Sequence, residues 1–291
     1  MPVPPMSIPR ARFSGDVGVA MQGIYAARVT AALLPLAVEL VRRAGSLIAA
    51  GRASAGDHVS TKSTPTDVVT EMDRAAEQLV VDALHRLRPG DGVLGEEGGE
   101  SVGSTGVRWV LDPIDGTVNY LYDLPAYAVS LAAEVDGSVA VGAVYNPVTK
   151  ELWTAVRGEG ARLGDRLLAG STVTSLDQAL VATGFGYDAD RRRAQAAVVG
   201  ALLPEIRDIR RFGAASLDLC SVAAGRVDAY FERGLAPWDL AAGGLIAAEA
   251  GLLVTGLRGL PAGADLVLAA PRLLHAALHD RLVALRADEG P

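Results

Sequence analysis

The residues best suited to chemistry are those of Asp112-Pro113-Ile114-Asp115-Gly116-Thr117. The apolar run Trp109-Val110-Leu111 precedes them and predicts a buried strand that delivers Asp112 to a sheet edge. Pro113 fixes its own φ and suppresses helix at Asp112. Ile114 offers a backbone carbonyl, and Asp115 follows at a turn that opens into a helix. Gly116 and Thr117 then supply backbone N–H groups at the helix start, where free donors and the positive dipole end favour a phosphate. Two carboxylates and a carbonyl beside an anion site suit Mg2+, which takes hard oxygen ligands and keeps several waters. The competing reading is a capped strand-to-helix turn with incidental acids.

The spacing of the two aspartates is informative. In haloacid dehalogenases the paired aspartates lie two residues apart. Here they lie three apart, which argues for a metal-held water as nucleophile rather than an aspartyl-phosphate. Two further acids are candidates for the same centre. Glu96, in Gly95-Glu96-Glu97, follows a short strand, although paired glutamates also occur as plain surface. Asp239, in Ala236-Pro237-Trp238-Asp239, opens a helix, where Pro and Asp are ordinary first-turn residues.

These candidates need a layered frame to position them. A long helix is predicted over Val17 to Ala50, loop over Ser54 to Thr70, and a second helix from Thr70 to Leu87, stopped by Arg88-Pro89-Gly90. Strands are predicted at Val93–Gly95, Val107–Leu111, Tyr127–Glu134, Ser138–Tyr145 and Lys150–Val156, with Asp136-Gly137 as a hairpin turn. Gly98 to Gly106 reads as a mobile Gly/Ser loop. The second half alternates strand and helix, with strands at Ala179–Gly184, Asp208–Arg211, Val227–Glu232 and Leu266–Ala270. Its helices are Arg191–Leu203, Ser216–Ala224, Trp238–Ala250 and a Leu/Ala-rich C-terminal run. Antiparallel pairs followed by mixed alternation indicate an α/β (α+β) fold of stacked helix and sheet layers.

The 291 residues suit one large domain. Residues 1–15 are Pro-rich and read as a disordered N-terminal extension. Residues 16–291 read as a single domain with lobes at about 16–180 and 181–291. A net charge of −7 and a pI near 5.2 argue against a general nucleic-acid binder. The runs Arg191–Arg193 and Arg210-Arg211 are read as solvated surface. Charged residues interrupt the apolar first helix, so no membrane span is expected. The single cysteine, Cys220, reads as a buried small hydrophobe and fits a reducing cytoplasm.

Taken together, these segments resemble the inositol monophosphatase family. The resemblance rests on Trp109 through Tyr120, on Trp238 through Gly251, and on Lys62 through Asp73, and it extends from about Leu34 to the C-terminal helix. The Ala-rich, Arg-over-Lys style is similar to actinobacterial members. The resemblance implies the αβαβα sandwich of the inositol monophosphatase and fructose-1,6-bisphosphatase type, and hydrolysis of a small phosphate monoester, inositol 1-phosphate first. It implies two to three Mg2+ ions held by Glu96, Asp112, the Ile114 carbonyl, Asp115 and Asp239, with Li+ as inhibitor. Thr117 and Asp73 would orient and deprotonate the attacking water, with Glu96 also catalytic. Gly116 and Thr117 would hold the phosphate, Gly213, Ala214 and Ala215 would lie beside the substrate ring, and Glu232 would bond its hydroxyls.

A homodimer in the cytoplasm is implied, with no membrane and no direct nucleic-acid partner. Departures are the N-terminal extension, the short Gly98–Gly106 loop, and Ala214 where a Thr is common. The alternatives are a sister phosphatase acting on histidinol phosphate, fructose 1,6-bisphosphate, adenosine 3′,5′-bisphosphate or NADP, and a second role as a transcription cofactor. For a bisphosphate, Arg210, Arg211 and Arg233 are the candidate extra cations.

Overall fold

The structure, a computed structural model, describes residues 16–52, 59–61 and 68–290. The N-terminal extension and Lys62–Asp67 lie outside the described residues. Helix α1 (Asp16–Gly51) and helix α2 (Glu71–Leu87) pack on one face of the first sheet. A two-stranded ribbon, β1 (Val59–Thr61) and β2 (Val68–Thr70), leads into α2.

The first sheet has eight strands. They are β3 (Gly92–Gly95), β4 (Gly99–Ser101), β5 (Val107–Asp115), β6 (Ala128–Val135), β7 (Ser138–Asn146), β8 (Glu151–Val156), β9 (Gly160–Leu163) and β10 (Arg166–Leu167). Their spatial order is β10-β9-β8-β7-β6-β5-β3-β4, antiparallel throughout except for β3 beside β5. The β6–β7 turn puts Asp136 at φ 49° and Gly137 at φ 78°, the left-handed pair that such a hairpin turn requires. Residues 98–106 depart from the expected loop, because β4 pairs with β3. Glu100, on β4, gains an ion pair with Arg108 at 2.8 Å, and Ser101 Oγ accepts from Val93 N–H at 3.2 Å.

The second sheet has five strands, β11 (Leu180–Thr183), β12 (Asp208–Arg210), β13 (Ala229–Glu232), β14 (Leu253–Thr255) and β15 (Val267–Ala270), in the order β12-β11-β13-β15-β14. Helices α5 (Ala215–Ala223) and α6 (Pro237–Glu249) lie between the two sheets. Leu217, Cys220 and Ile246 face the first sheet, while Leu219, Val222 and Ala247 face the second. Helices α4 (Ala189–Leu202) and α7 (Arg272–Ala284) cover the outer face of the second sheet through Leu202, Leu274 and Leu278. The layers therefore run α, β, α, β, α, as the sequence indicated. Gly142 shows why small residues are used: a Cβ there would stand 2.9 Å from the Ala242 carbonyl oxygen of α6. Cys220 is fully buried, as expected of a small hydrophobe. Among the described residues, no helix is long and apolar enough to cross a membrane.

Candidate active site

Asp112 and Asp115 reach the same place through a defect in β5. Side chains three apart on a regular strand point to opposite faces. Here Asp112 pairs with Ser130 and Asp115 with Ala128, so three residues on β5 span two on β6. This bulge sits at Pro113, which has no N–H to give to the ladder. The extra residue restores both carboxylates to one side. Asp112 is thus inside the strand rather than at its end, since β5 continues to Asp115. Ile114 N–H donates to Asp112 Oδ1 at 3.0 Å and closes the bulge locally.

Asp239 joins them from the first turn of α6. One carboxylate oxygen from each of Asp112, Asp115 and Asp239 lies within 4.8 Å of the others. Glu96 stands beside this triad, on the turn after β3. Its N–H donates to Leu111 O at 3.2 Å, and its carboxyl shares a hydrogen bond with Asp112. Burial, then the charges of Glu96, Asp115 and Asp239, hold Asp112 well above the usual carboxylate range. Burial raises Asp115 to about 6 against the pull of its Ser216 bonds. Asp239 is raised by burial and by Asp115. A set of hard oxygen donors whose charges oppose one another fits a divalent cation, which would relieve the repulsion and supply what the chain's own groups lack.

Asp239, Asp73 and Asp115 are each tied to a helix N-terminus. Asp239 Oδ2 accepts from Ala236 N–H at 2.7 Å, at the start of α6. Asp73, at the third position of α2, accepts from Thr70 N–H at 2.7 Å and from the Thr70 hydroxyl at 2.5 Å. Asp115 caps α5 from 100 residues away: it accepts Ala215 N–H at 3.1 Å, Ser216 N–H at 2.7 Å and Ser216 Oγ–H at 2.5 Å. The residue at the N-cap of α5, Ala214, has no side-chain oxygen, so the aspartate takes that part.

Thr117 opens the five-residue helix α3 (Thr117–Leu121). Its hydroxyl lies 3.2 Å from Asp73 Oδ1 and 3.0 Å from the Ile114 carbonyl oxygen, two acceptors for one proton. Burial, with Glu97 and Glu96 adding to it, pushes Asp73 up to about 6 despite its Thr70 bonds. Gly116 adopts φ 90°, and a Cβ there would meet Ala126 O at 2.8 Å and Gly213 O at 3.2 Å. The Gly116–Thr117 turn and the 213–215 loop are therefore in direct contact. Asn119 staples them, its Nδ2 donating to both Ala126 O and Phe212 O at 2.7 Å.

A cleft of about 320 Å³ opens from Asp115 and Asp239 and continues past Gly213, Ala214 and Ala215 to Glu232. Glu232 accepts from Tyr230 Oη at 2.7 Å. Burial raises it to about 7 although Tyr230 and Arg211 pull it down. Gly184, just past the end of β11, lies against it; a Cβ there would overlap the Glu232 carboxylate. The structure thus brings Asp112, Asp115 and Asp239 together with Glu96 and Thr117–Asp73 adjacent, and Glu232 on the far wall. Sequence reasoning missed Ser216 and Asn119, whose respective partners Asp115 and Phe212 are remote. It also missed Glu77, whose carboxylate accepts Glu97 N–H at 2.9 Å beneath the Glu96 turn. A helix-start Ser after Gly213-Ala214-Ala215 was the one local signal for Ser216.

An αβαβα sandwich holding buried acids at helix N-termini over a small cleft defines a class, the metal-dependent phosphatases. A model of the inositol monophosphatase family matches residues 30–290. A Mycobacterium leprae protein named inositol-1-monophosphatase is 51% identical over 229 residues, covering 75% of this chain and 79% of that protein. An Escherichia coli protein named Nus factor SuhB is 43% identical over 229 residues, covering 78% and 86%. The solved structure of Mycobacterium tuberculosis SuhB superposes with a TM-score of 0.77 at 42% identity, covering 89% of this chain and 98% of that one. The chain belongs to the inositol monophosphatase family, and it is a phosphatase.

Proposed function

We propose that the chain hydrolyses inositol 1-phosphate to inositol and phosphate, with Mg2+ as its cofactor. The observation that carries the reading is one cleft with Asp115 and Asp239 at one end, Asp112 clustered with them, and the Glu232 carboxylate at the other. Asp112, Asp115, Asp239, Glu96 and the Ile114 carbonyl would hold two to three ions. Bound there, Mg2+ supplies neutralisation of the phosphate charge and activation of the attacking water.

The chain's own groups do the rest. The backbone N–H groups of Gly116 and Thr117 hold the phosphate at the start of α3. Thr117 Oγ1 orients the water, and its hydroxyl bond to Asp73 gives the departing proton a buried acceptor raised to about 6. Glu96 assists from the neighbouring turn. Glu232 accepts hydrogen bonds from ring hydroxyls, while Gly213, Ala214 and Ala215 leave room for the ring face. The name of the M. leprae relative supports inositol 1-phosphate as the first substrate to test. Li+ is proposed as an inhibitor that competes for this carboxylate site. The chain is proposed to act as a cytoplasmic homodimer, which sedimentation equilibrium checks.

The test is phosphate release from inositol 1-phosphate, histidinol phosphate and adenosine 3′,5′-bisphosphate, with and without Mg2+, beside Asp112→Asn. Inositol 1-phosphate should lead by tenfold or more in kcat/KM, about 1.4 kcal/mol of transition-state preference. Another leader with an inactive Asp112→Asn would keep the chemistry and replace the substrate. A second reading, a role in transcription, is favoured by the Nus factor name of the E. coli relative. Retention of an RNA polymerase contact by Asp112→Asn would separate it from catalysis.

A further inference from the structure

Two of the arginines expected to serve a second anion are engaged elsewhere. Arg210 pairs with Asp208 at 2.6 Å. Arg233 borders the cleft, yet its guanidinium reaches the segment that follows α7. It donates from Nη1 to Glu289 O at 2.9 Å and from Nη2 to Gly290 O at 2.5 Å.

The place of this contact gives it a consequence. Arg233 directly follows Glu232, the last residue of β13, and the chain then runs through residues 234–238 to Asp239. Glu232 sits at an incomplete end of the sheet. It pairs with Val267 on β15, but the pairing of β13 with β11 stops one residue earlier, at Phe231. Beyond it, Gly234 turns at φ 93° and donates its N–H to Ala264 O at 2.8 Å. Tyr230 Oη holds the Glu232 carboxylate itself. The main chain leaving Glu232 is tied by the Arg233 side chain. A planar guanidinium that donates to two successive carbonyls fixes direction as well as distance.

The accepting segment has its own anchors. Ala287 is buried. Asp288 and Glu289 both pair with Arg258, Glu289 at 3.2 Å, and Glu289 also pairs with Arg286 at 2.5 Å. Gly290 has φ 98°, a region that glycine enters freely. Arg258 follows β14 and does not line the cleft.

We propose that Arg233 is a positioning residue for Glu232, and that residues 288–290 act through it as a strap behind the cleft wall. Substrate affinity then depends on ion pairs outside the cleft. The proposal rests on reading Glu232 as the contact for ring hydroxyls. Neither Arg233 nor the strap takes part in the hydrolysis itself.

The test uses two variants of the full chain. Arg258→Gln removes the anchors of the strap and leaves Arg233 in place; Arg233→Gln removes the guanidinium fork. In Mg2+-supplemented phosphate-release assays, each should raise KM for inositol 1-phosphate about fivefold, the scale of one hydrogen bond, with kcat and the half-activating Mg2+ concentration within about twofold. A variant that merely loosened the fold would lower kcat and Mg2+ affinity as well. In a Glu232→Gln background, adding Arg258→Gln should raise KM no further, because effects routed through one residue are not additive. An unchanged KM in both single variants overturns the proposal. An equal KM rise from Arg258→Gln with and without Glu232→Gln also overturns it. If inositol 1-phosphate is not turned over, or Glu232→Gln itself leaves its KM unchanged, the reading of the cleft fails and this proposal falls with it.

Discussion

Asp112→Asn separates the electrostatics of the acid cluster from its fold. Asn keeps an oxygen to accept the Ile114 N–H bond, now 3.0 Å, and its amide can donate to Glu96, which already shares a hydrogen bond with Asp112. What the substitution removes is one buried charge. Two unit charges 4.8 Å apart at an effective dielectric constant of about 20 repel by about 3.5 kcal/mol. Asp115, raised from 3.8 to about 6, independently implies about 3 kcal/mol of penalty above that pH. Because the folded values are raised, metal-free stability is fully present below pH 3.8 and is lost as pH rises through about 6.

In chelator at pH 7.5, Asp112→Asn should therefore be more stable than wild type by about 2 kcal/mol, a Tm rise of about 4 °C for a chain of this size. The gap should close by pH 4. Mg2+ at a hundred times its Kd stabilises wild type by about 2.7 kcal/mol and should reverse the order, since the variant has lost a ligand. Thermal melts across pH, with and without Mg2+, provide the readout. A variant that melts below wild type in chelator at pH 7.5, or that gains as much from Mg2+, refutes the reasoning.

Three further outcomes are expected. Under the proposed role, Glu232, raised to about 7, would bind ring hydroxyls more strongly as the carboxylate than as the acid, so KM for inositol 1-phosphate should rise as pH falls below about 7. That dependence should be absent in Glu232→Gln; steady-state pH profiles check it. Asp218 is buried with neither carboxylate oxygen partnered, and burial raises it well above the usual range. Asp218→Asn should then melt higher than wild type at pH 7.5, by about 1–2 kcal/mol of stability, with the gap shrinking toward pH 4. Glu77→Ala frees the Glu97 N–H that pins the Glu96 turn. The Mg2+ concentration for half-activation should rise about tenfold with substrate KM nearly fixed, and Glu77→Gln should recover part of it.

How much of this was legible depended on how local the signal was. The Asp112–Thr117 turn, the Asp239 helix start and the Gly95–Glu96 strand end are encoded in runs of a few residues; strand and helix periodicities gave stacked layers, and the family resemblance gave their number. The bulge was not readable, because it needs the register against β6. Strand β4 was missed because Gly99-Glu100-Ser101 has no apolar residue; it forms through Ser101 and the Arg108–Glu100 pair. The short β9–β10 hairpin and β14 carried too few residues to announce a period. Ser216 could not be assigned because its partner, Asp115, is 101 positions away.

The same long-range contacts show what the fold can and cannot do for the acids it gathers. Helices α2, α5 and α6 each present an N-terminus to an aspartate: Asp73, Asp115 and Asp239. A carboxylate at such a terminus gains about 0.3–1 kcal/mol, and up to about 2 in a partly buried setting. One repulsive pair at the cluster's spacing costs about 3.5 kcal/mol, and the triad contains more than one such pair. Capping orients the carboxylates and fixes which lone pairs face the cleft, but it falls short of neutralising them. Hydrogen bonds from Ser216 and Ala236 lower Asp115 and Asp239, yet both remain raised. The shortfall must be met either by protonation, which would silence the oxygens as ligands, or by a cation. At neutral pH the second option leaves all three helix caps intact, which is why the fold and the metal requirement should be lost and regained together in the Mg2+ melts.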